Sequence, residues 1–251
     1  MSQTSLEYLR MSRLCSTSPW VIWGGLLPAG SLKQLTFERY LAGLDARELR
    51  RGLVEISEGC TALALQHLGR LAGISVATVC SPAGKVKLRA RGYSAETIVP
   101  RSMQEALDIC AAKRAEGWHW PEQMSNPNLL AAVQTWGLEI VGLLRTQPEI
   151  DTLVCGFGTG ATLIGLSHAL GPLGYTVIGL EAAPRAGIPG WRNYAEQNLA
   201  ERDLFHAHRE RVDLRTAAQN AKGATPLEIL VAQDWGVDPR RVCVLSHDGV
   251  P

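Results

Sequence analysis

Short apolar runs alternate with amphipathic stretches along most of this chain of 251 residues. Runs rich in β-branched residues and stopped by Gly, Pro or Ser predict strands at 20–23, 53–56, 74–80, 96–100, 152–155, 176–180 and 242–245. Stretches with helical spacing or an amphipathic character predict helices at 33–50, 63–71, 85–91, 103–116, 129–144, 163–170 and 226–234. Strands that alternate with helices in this way predict an α/β fold with largely parallel sheets.

Three segments show no clear periodicity. Residues 1–19 are polar and mixed, residues 118–128 read as an aromatic loop with a proline, and residues 184–224 are polar and rich in Arg and His. We predict no regular element in them. A basic helix face with Lys85, Lys87, Arg89 and Arg91 is expected to be solvated.

Composition excludes several classes of protein. Hydrophobic residues make up 46% of the chain, charged residues 20%, and the net charge is +1, which is ordinary for a globular enzyme-sized domain. A net charge this small gives no indication that the protein binds nucleic acid or an anionic membrane. No apolar stretch is long enough to span a bilayer. The six cysteines contain no CxxC pair, so neither zinc nor a disulfide framework is expected. Without a secretion signal, we expect reduced thiols in the cytoplasm.

Three loops follow predicted strands, at 57–62, 156–162 and 246–249. Ligands bind at the carboxyl ends of parallel strands, so these loops are expected to share a site. The loop 156–162 contains three alternating glycines before a helix, which suits a phosphate group held by backbone N–H groups and by the Thr159 and Thr162 hydroxyls. It lacks the Lys-Ser/Thr ending of a nucleotide-binding P-loop. A plain strand-to-helix turn that needs glycine for packing fits the loop equally well.

A tight turn at 27–31 precedes Lys33, which starts the helix predicted at 33–50. Lys33 is either a covalent catalyst that holds a cofactor as a Schiff base or a solvated lysine in a first helical turn. A lysine together with a phosphate loop in an α/β chain suggests pyridoxal 5′-phosphate (PLP).

The order of several motifs supports this cofactor. Residues 28–33 (PAGSLK) are similar to the motif PTGSxK, residues 57–62 lie where TSGNTG belongs, and residues 123–127 are similar to QFxNP. Residues 158–162 are similar to GTGGT, and residues 246–249 lie where PDSG belongs. The chain thus resembles the cysteine synthase group of PLP enzymes, called fold type II, which includes serine/threonine dehydratases and the tryptophan synthase β subunit. The resemblance covers nearly the whole chain, and only 184–235 aligns poorly.

The resemblance implies a two-lobed, tryptophan synthase β-like fold with parallel-rich sheets and flanking helices. Residues 1–251 would form a single unit, with a smaller lobe at about 35–135 that carries the substrate loop. Residues 1–34 and 136–251 would form the larger, PLP-binding lobe. A homodimer is expected from the resemblance alone.

Roles for individual residues also follow from the resemblance. Lys33 would bind PLP and later move the Cα proton of the substrate, and Asp248 would stand near the pyridine nitrogen. The phosphate would be held by Gly158, Thr159, Gly160, Ala161 and Thr162. The carboxylate of a small amino-acid substrate would meet Ser57, Glu58, Gly59, Thr61 and Gln123.

Three positions depart from the family pattern. Cys60 replaces an asparagine that hydrogen-bonds the 3-hydroxyl of PLP, and a thiol is a weak partner. Glu58 replaces a serine, and its carboxylate would repel that of an amino acid. Asp248 replaces a small hydroxyl residue and would keep the pyridine nitrogen protonated, although a one-residue shift would place His247 there. These departures indicate either an unusual substrate or an activity that is weakened or lost.

The function expected from the resemblance is β-elimination or β-replacement on an amino acid through an aminoacrylate, as in cysteine synthase. A specialised, biosynthetic enzyme is favoured, because the three departures argue against housekeeping cysteine synthesis. The alternatives are a PLP lyase, dehydratase or racemase, and a pseudoenzyme with a scaffold role. The poorly aligned segment 184–235 supports the pseudoenzyme, since part of the cofactor wall could be missing.

Overall fold

The computed structural model describes residues 5–57, 59–93, 96–184, 191–194, 205–217, 225–233 and 235–246. The strands within these ranges form one sheet of six strands and one sheet of three. No helix in the described ranges is long and apolar enough to cross a membrane.

The larger sheet is parallel except at one edge. Its strands, in spatial order, are β1 (Met11–Arg13), β2 (Trp20–Trp23), β9 (Val242–Ser246), β6 (Thr152–Gly156), β7 (Thr176–Glu181) and β8 (Asp213–Thr216). Strand β1 pairs antiparallel with β2, and the remaining pairs are parallel. The smaller sheet is parallel throughout and consists of β3 (Leu53–Ile56), β4 (Val76–Val79) and β5 (Thr97–Ile98). The predicted α/β class with parallel-rich sheets is confirmed.

Helices pack against both sheets. The described helices are α1 (Lys33–Ala42), α2 (Cys60–Ala72), α3 (Pro82–Ala90), α4 (Met103–Ala115), α5 (Pro127–Glu139), α6 (Val141–Leu144), α7 (Ala161–Leu170) and α8 (Pro226–Ala232). Helices α2, α3, α7 and α8 each follow a strand and lead the chain to the next strand of the same sheet, as parallel pairing requires.

The core lies on both faces of the larger sheet. Leu153 and Cys155 of β6 join one apolar cluster, which includes residues of α5 and α7, whereas Val154 joins a second cluster with residues of α8. Successive side chains of a strand point to opposite faces, so Leu153, Val154 and Cys155 of β6 are all buried and all apolar. This burial on both faces explains the largely apolar runs at 152–155 and 242–245.

Some element boundaries differ from the prediction. Helix α1 ends at Ala42 rather than at residue 50, because Gly43 caps it and the Asp45 carboxylate accepts a hydrogen bond from the N–H of Arg47 (2.8 Å), which forms a turn. The helix predicted at 129–144 is α5 followed by α6, and α5 starts earlier because the Asn126 side chain caps it.

Strands β1 and β8 were not predicted. They lie at the two edges of the larger sheet, and their side chains are mostly half-buried or exposed. An edge strand of three or four residues needs no apolar run, so its sequence resembles a polar loop.

Candidate active site

A cavity of about 510 Å3 lies where strands of both sheets end. Ser57 follows β3, Gly156 ends β6 and Ser246 ends β9, and all three border the cavity. Its size is typical of a small-molecule site, and its place at the carboxyl ends of parallel strands is where α/β proteins bind ligands.

Lys33 lies on the cavity wall at the start of α1. The turn before it is fixed by side chains: Ser31 Oγ accepts a hydrogen bond from the N–H of Lys33 (3.2 Å), and Gln34 Oε1 accepts one from the N–H of Ala29 (2.7 Å). Gln34 is itself buried and donates to Ser5 Oγ (2.6 Å). These bonds hold the Lys33 backbone in one conformation and so direct its side chain.

The environment of Lys33 favours its neutral amine. Burial lowers its pKa below the ordinary lysine value, and the positive charge of Arg192 lowers it further, although Cys60 and Cys155 oppose the shift. A neutral amine is the form that attacks an aldehyde and accepts a proton. Because Lys33 faces the cavity, the structure favours the catalytic interpretation over a solvated lysine.

The glycine-rich loop forms a second part of the cavity wall. Gly158, Thr159, Gly160 and Thr162 border it, and Gly160 has a φ of 82° just before α7. A Cβ at Gly160 would also lie 2.9 Å from the Cβ of Phe205, so only glycine fits. The buried Thr159 Oγ1 finds no hydrogen-bond partner among the described residues.

These features suit an anionic group. No described side chain caps α7, so its first N–H groups and the Thr159 hydroxyl are donors that await an acceptor. A buried unpaired hydroxyl is costly, and a phosphate oxygen would satisfy it.

Ser57, Gly59, Cys60, Thr61 and Gln123 form the wall nearest α2. Ser57 Oγ accepts hydrogen bonds from the N–H groups of Gly59 (3.3 Å) and Ala62 (3.0 Å). Thr61 Oγ1 donates to Gln123 Oε1 (2.7 Å), and this links the loop to the segment after α4. The loop is therefore held by its own polar side chains.

Glu55 lies buried behind this wall. Its carboxylate accepts hydrogen bonds from the backbone N–H groups of Ile56 (2.8 Å) and Gln123 (3.1 Å) and from Trp120 Nε1 (3.4 Å). Gln123 Nε2 also donates to the carbonyl oxygen of Ile56 (2.7 Å). Burial raises the pKa of Glu55 to about 7 despite the three donors.

Most residues predicted for the site lie around this one cavity. Those that border it are Lys33, Ser57, Gly59, Cys60, Thr61, Gln123, Gly158, Thr159, Gly160 and Thr162. Ala161 does not border it; its side chain is buried in the core beside the sheet. Glu58 and Asp248 lie outside the described residues, so their predicted roles stay predictions.

Several cavity residues were not predicted. Lys87 borders the cavity, so the basic face of α3 is not wholly a solvent face. Trp191 and Arg192 come from the segment that aligned poorly, and the indole of Trp191 packs where a Cβ of Gly156 would lie. Leu227 and Leu230 of α8 complete that side. In the sequence, only Leu227 and Leu230, two apolar residues of the helix predicted at 226–234, pointed to this wall. Trp191 stands in a polar stretch and gave no such signal.

A lysine with a lowered pKa, an anion-binding helix start and a polar loop in one cavity define a site for an anionic, aldehyde-bearing cofactor. The chain matches the family described as pyridoxal-phosphate dependent enzyme over residues 3–234, and it belongs to this family. Its cofactor is PLP.

Solved structures of PLP enzymes share the fold. O-ureido-L-serine synthase has a TM-score of 0.69 at 19% identity, and the match covers 99% of this chain and 92% of that one. The O-acetylserine-dependent cystathionine β-synthase of Helicobacter pylori gives 0.70 at 16% identity, with 99% and 96% covered. Maize serine racemase gives 0.70 at 18% identity, with 99% and 92% covered. A comparison with curated proteins found no match. Fold type II is confirmed.

Replacing Thr159 by valine should separate cofactor affinity from stability. We expect PLP to bind about tenfold more weakly, since one hydrogen bond to a charged group is lost. The cofactor-free protein should keep its stability or gain about 1 kcal/mol, because a buried unpaired hydroxyl is removed. Equilibrium dialysis with PLP and urea unfolding measure the two effects.

Thr135→Val is the matched control, because the exposed Thr135 hydroxyl donates to the Ala131 carbonyl oxygen (3.0 Å) on α5 and does not border the cavity. Unchanged PLP affinity in Thr159→Val would show that this hydroxyl does not hold the phosphate.

Proposed function

We propose that this PLP-dependent enzyme catalyses β-elimination or β-replacement on a small amino acid, as a lyase or transferase. The observation that carries the proposal is the placement of Lys33, the glycine-rich anion loop and the polar loop 57–61 around one cavity. A specialised substrate is expected, because Cys60 stands where the related enzymes have asparagine.

The proposed role of Lys33 is to bind the cofactor covalently and then to move the proton at the substrate Cα. Its lowered pKa leaves a neutral amine that can accept this proton. The bound cofactor supplies the electron sink that makes the Cα proton acidic.

The loops would orient the two partners. Gly158, Thr159, Gly160 and Thr162 would hold the cofactor phosphate, with Ala161 contributing through its place at the start of α7. Cys60 would lie near the cofactor ring. Its weak hydrogen bonding sets the ring less firmly than an amide would.

Ser57, Gly59, Thr61 and Gln123 would orient the substrate, and Glu58 is proposed to select it. Asp248 is proposed to act at the ring nitrogen. Ser246, at the end of β9, also borders the cavity.

The pseudoenzyme alternative weakens on structural grounds. Its main support was a missing cofactor wall in 184–235, but Trp191, Arg192, Leu227 and Leu230 form a wall there. A dehydratase, lyase or racemase activity uses the same Lys33, so the reaction products distinguish these alternatives.

Reconstitution with PLP tests the proposal. We expect a visible absorption band that borohydride removes, and a reduced cofactor adduct on the Lys33 peptide by mass spectrometry. O-acetylserine with sulfide should then give cysteine, whereas L-serine alone would give pyruvate and ammonia in a dehydratase or D-serine in a racemase. A protein that PLP cannot colour, or an adduct on another lysine, would refute the role of Lys33.

We also propose the two-lobe division at about 35–135 and the homodimer. The three-stranded sheet falls inside 35–135 and the six-stranded sheet outside it, which supports the division. Limited proteolysis and sedimentation of the purified protein test the lobes and the assembly.

A further inference from the structure

Lys87 occupies an unexpected position for a residue of a solvated helix face. Helix α3 begins after Ser81, whose side chain caps it, and Ala83, Gly84 and Lys87 border the cavity together. Their spacing places them on one side of the helix. Lys87 is exposed, so its ammonium group stands at the edge of the cavity rather than deep inside it.

The ammonium group of Lys87 lies against the polar loop. A Cβ built on Gly59 would be 3.4 Å from Lys87 Nζ, so the amine sits beside the Gly59 backbone. Within the described part of the chain, Lys87 has no acidic partner, whereas Lys113 on the next helix pairs with Glu96 (2.9 Å). The basic side chains among the described cavity residues are those of Lys33, Lys87 and Arg192, and no acidic side chain is among these residues.

Several donors around this loop are already engaged. Thr61 donates its hydroxyl proton to Gln123 Oε1, and the N–H of Gly59 donates to Ser57 Oγ. Gln123 Nε2 already donates to the Ile56 carbonyl oxygen. The Ser57 hydroxyl and the first N–H groups of α2 remain as donors to a substrate carboxylate, but they are neutral. The adjacent Lys87 adds a full positive charge.

We infer that Lys87 binds the α-carboxylate of the substrate at the Gly59 end of the loop. The inference rests on the proposed function, because it takes the substrate to be an α-amino acid. A full positive charge at this position lets the enzyme select amino acids over amines of the same shape. Lys87 acts on binding rather than on the reacting bonds.

Binding titrations of the PLP-loaded protein test this role. L-serine and ethanolamine differ only by the carboxylate, and each is followed through the change in the visible cofactor band. Lys87→Met should raise the half-saturating concentration of L-serine about tenfold. This loss of affinity is larger than the loss of an exposed ion pair would give and smaller than the loss of a strong charge-assisted hydrogen bond would give. Ethanolamine should be unaffected, and Lys87→Arg should retain most of the L-serine affinity.

Lys85→Met is the matched control, since Lys85 lies on the same helix but does not border the cavity. It should bind L-serine like the unmodified protein. Added salt should weaken L-serine binding in the unmodified protein more than in Lys87→Met, because salt screens an exposed charge.

Amine labelling separates this inference from the cofactor assignment. L-serine should protect Lys87 but not Lys85 from reductive methylation, as read by peptide mass spectrometry, and this readout needs no bound cofactor. A colourless protein that still shows this protection would refute the proposed function while keeping the anion site. Equal weakening of L-serine and ethanolamine by Lys87→Met would overturn the inference. Weakening confined to amino acids with a second acidic group, or no change in any arm, would also overturn it.

Discussion

Replacing Lys33 by methionine is expected to abolish covalent cofactor attachment while stabilising the cofactor-free protein. The amine is the group that can bond the PLP aldehyde, so its loss should leave no borohydride-stable adduct at any other residue. The same amine is desolvated beside Arg192, which lowers its pKa and disfavours its charged form. A methionine of similar length has no charge to desolvate.

The stability gain should be about 0.5–2 kcal/mol, the range common for a single stabilising substitution. For a chain of this size, that corresponds to a rise in melting temperature of about 2–4 °C per kcal/mol. Thermal unfolding without PLP measures it, and Lys85→Met should give neither effect. A cofactor adduct that persists in Lys33→Met, or a lower melting temperature, would contradict this account of the lysine.

The fold follows from the sequence where burial dictates residue type. Parallel strands such as β6 are buried on both faces, so they must be apolar at every position and stand out as runs. Edge strands such as β8 face solvent and carry no such signature, so they were missed. Helix ends depended on side-chain caps such as Asn126, which a periodic pattern does not report.

Site residues were predictable from the sequence where a reactive side chain or a glycine-rich loop stands at the boundary of a strand or helix. Lys33 and the loop 158–162 each sit at a strand or helix boundary, and both lie on the cavity as expected. Trp191, Arg192 and Lys87 reach the same cavity from segments far away in sequence. Nothing in their local sequence points inward, because their position depends on how the two sheets face each other.

Glu55 connects the site to the pH dependence of stability. Its carboxylate accepts a hydrogen bond from the backbone N–H of Gln123 and so fixes the cavity wall that carries Gln123. Its folded-state pKa of about 7 is above the ordinary value of 4.5. Burial thus favours the protonated acid, which still has oxygen lone pairs to accept these bonds.

The direction of this pH dependence follows from the difference between the pKa of Glu55 in the folded state and its pKa in the unfolded state. Below about pH 4.5 both the folded and unfolded states are protonated, so the contribution of Glu55 is fully present. Between about pH 4.5 and about pH 7 only the unfolded state ionises, and the free energy of unfolding falls as pH rises. Above about pH 7 both states are ionised, and the loss reaches about 3 kcal/mol at most.

Glu55→Gln should remove this pH dependence. The glutamine oxygen can still accept from Ile56, but its NH2 group would face the N–H of Gln123, which costs about 1–3 kcal/mol at every pH. The variant should therefore be clearly less stable than the unmodified protein at about pH 5 and should approach or exceed its stability at about pH 8. Urea unfolding across this range measures the difference in the free energy of unfolding between the two proteins, in which the titration of the groups that they share cancels.

Glu116→Gln, at an exposed residue that ends α4, provides the control and should give a flat difference. A flat difference for Glu55→Gln as well would mean that Glu55 stays ionised in the folded protein. In that case three N–H donors would outweigh burial, and the wall carrying Gln123 would be held by a carboxylate rather than by a neutral acid.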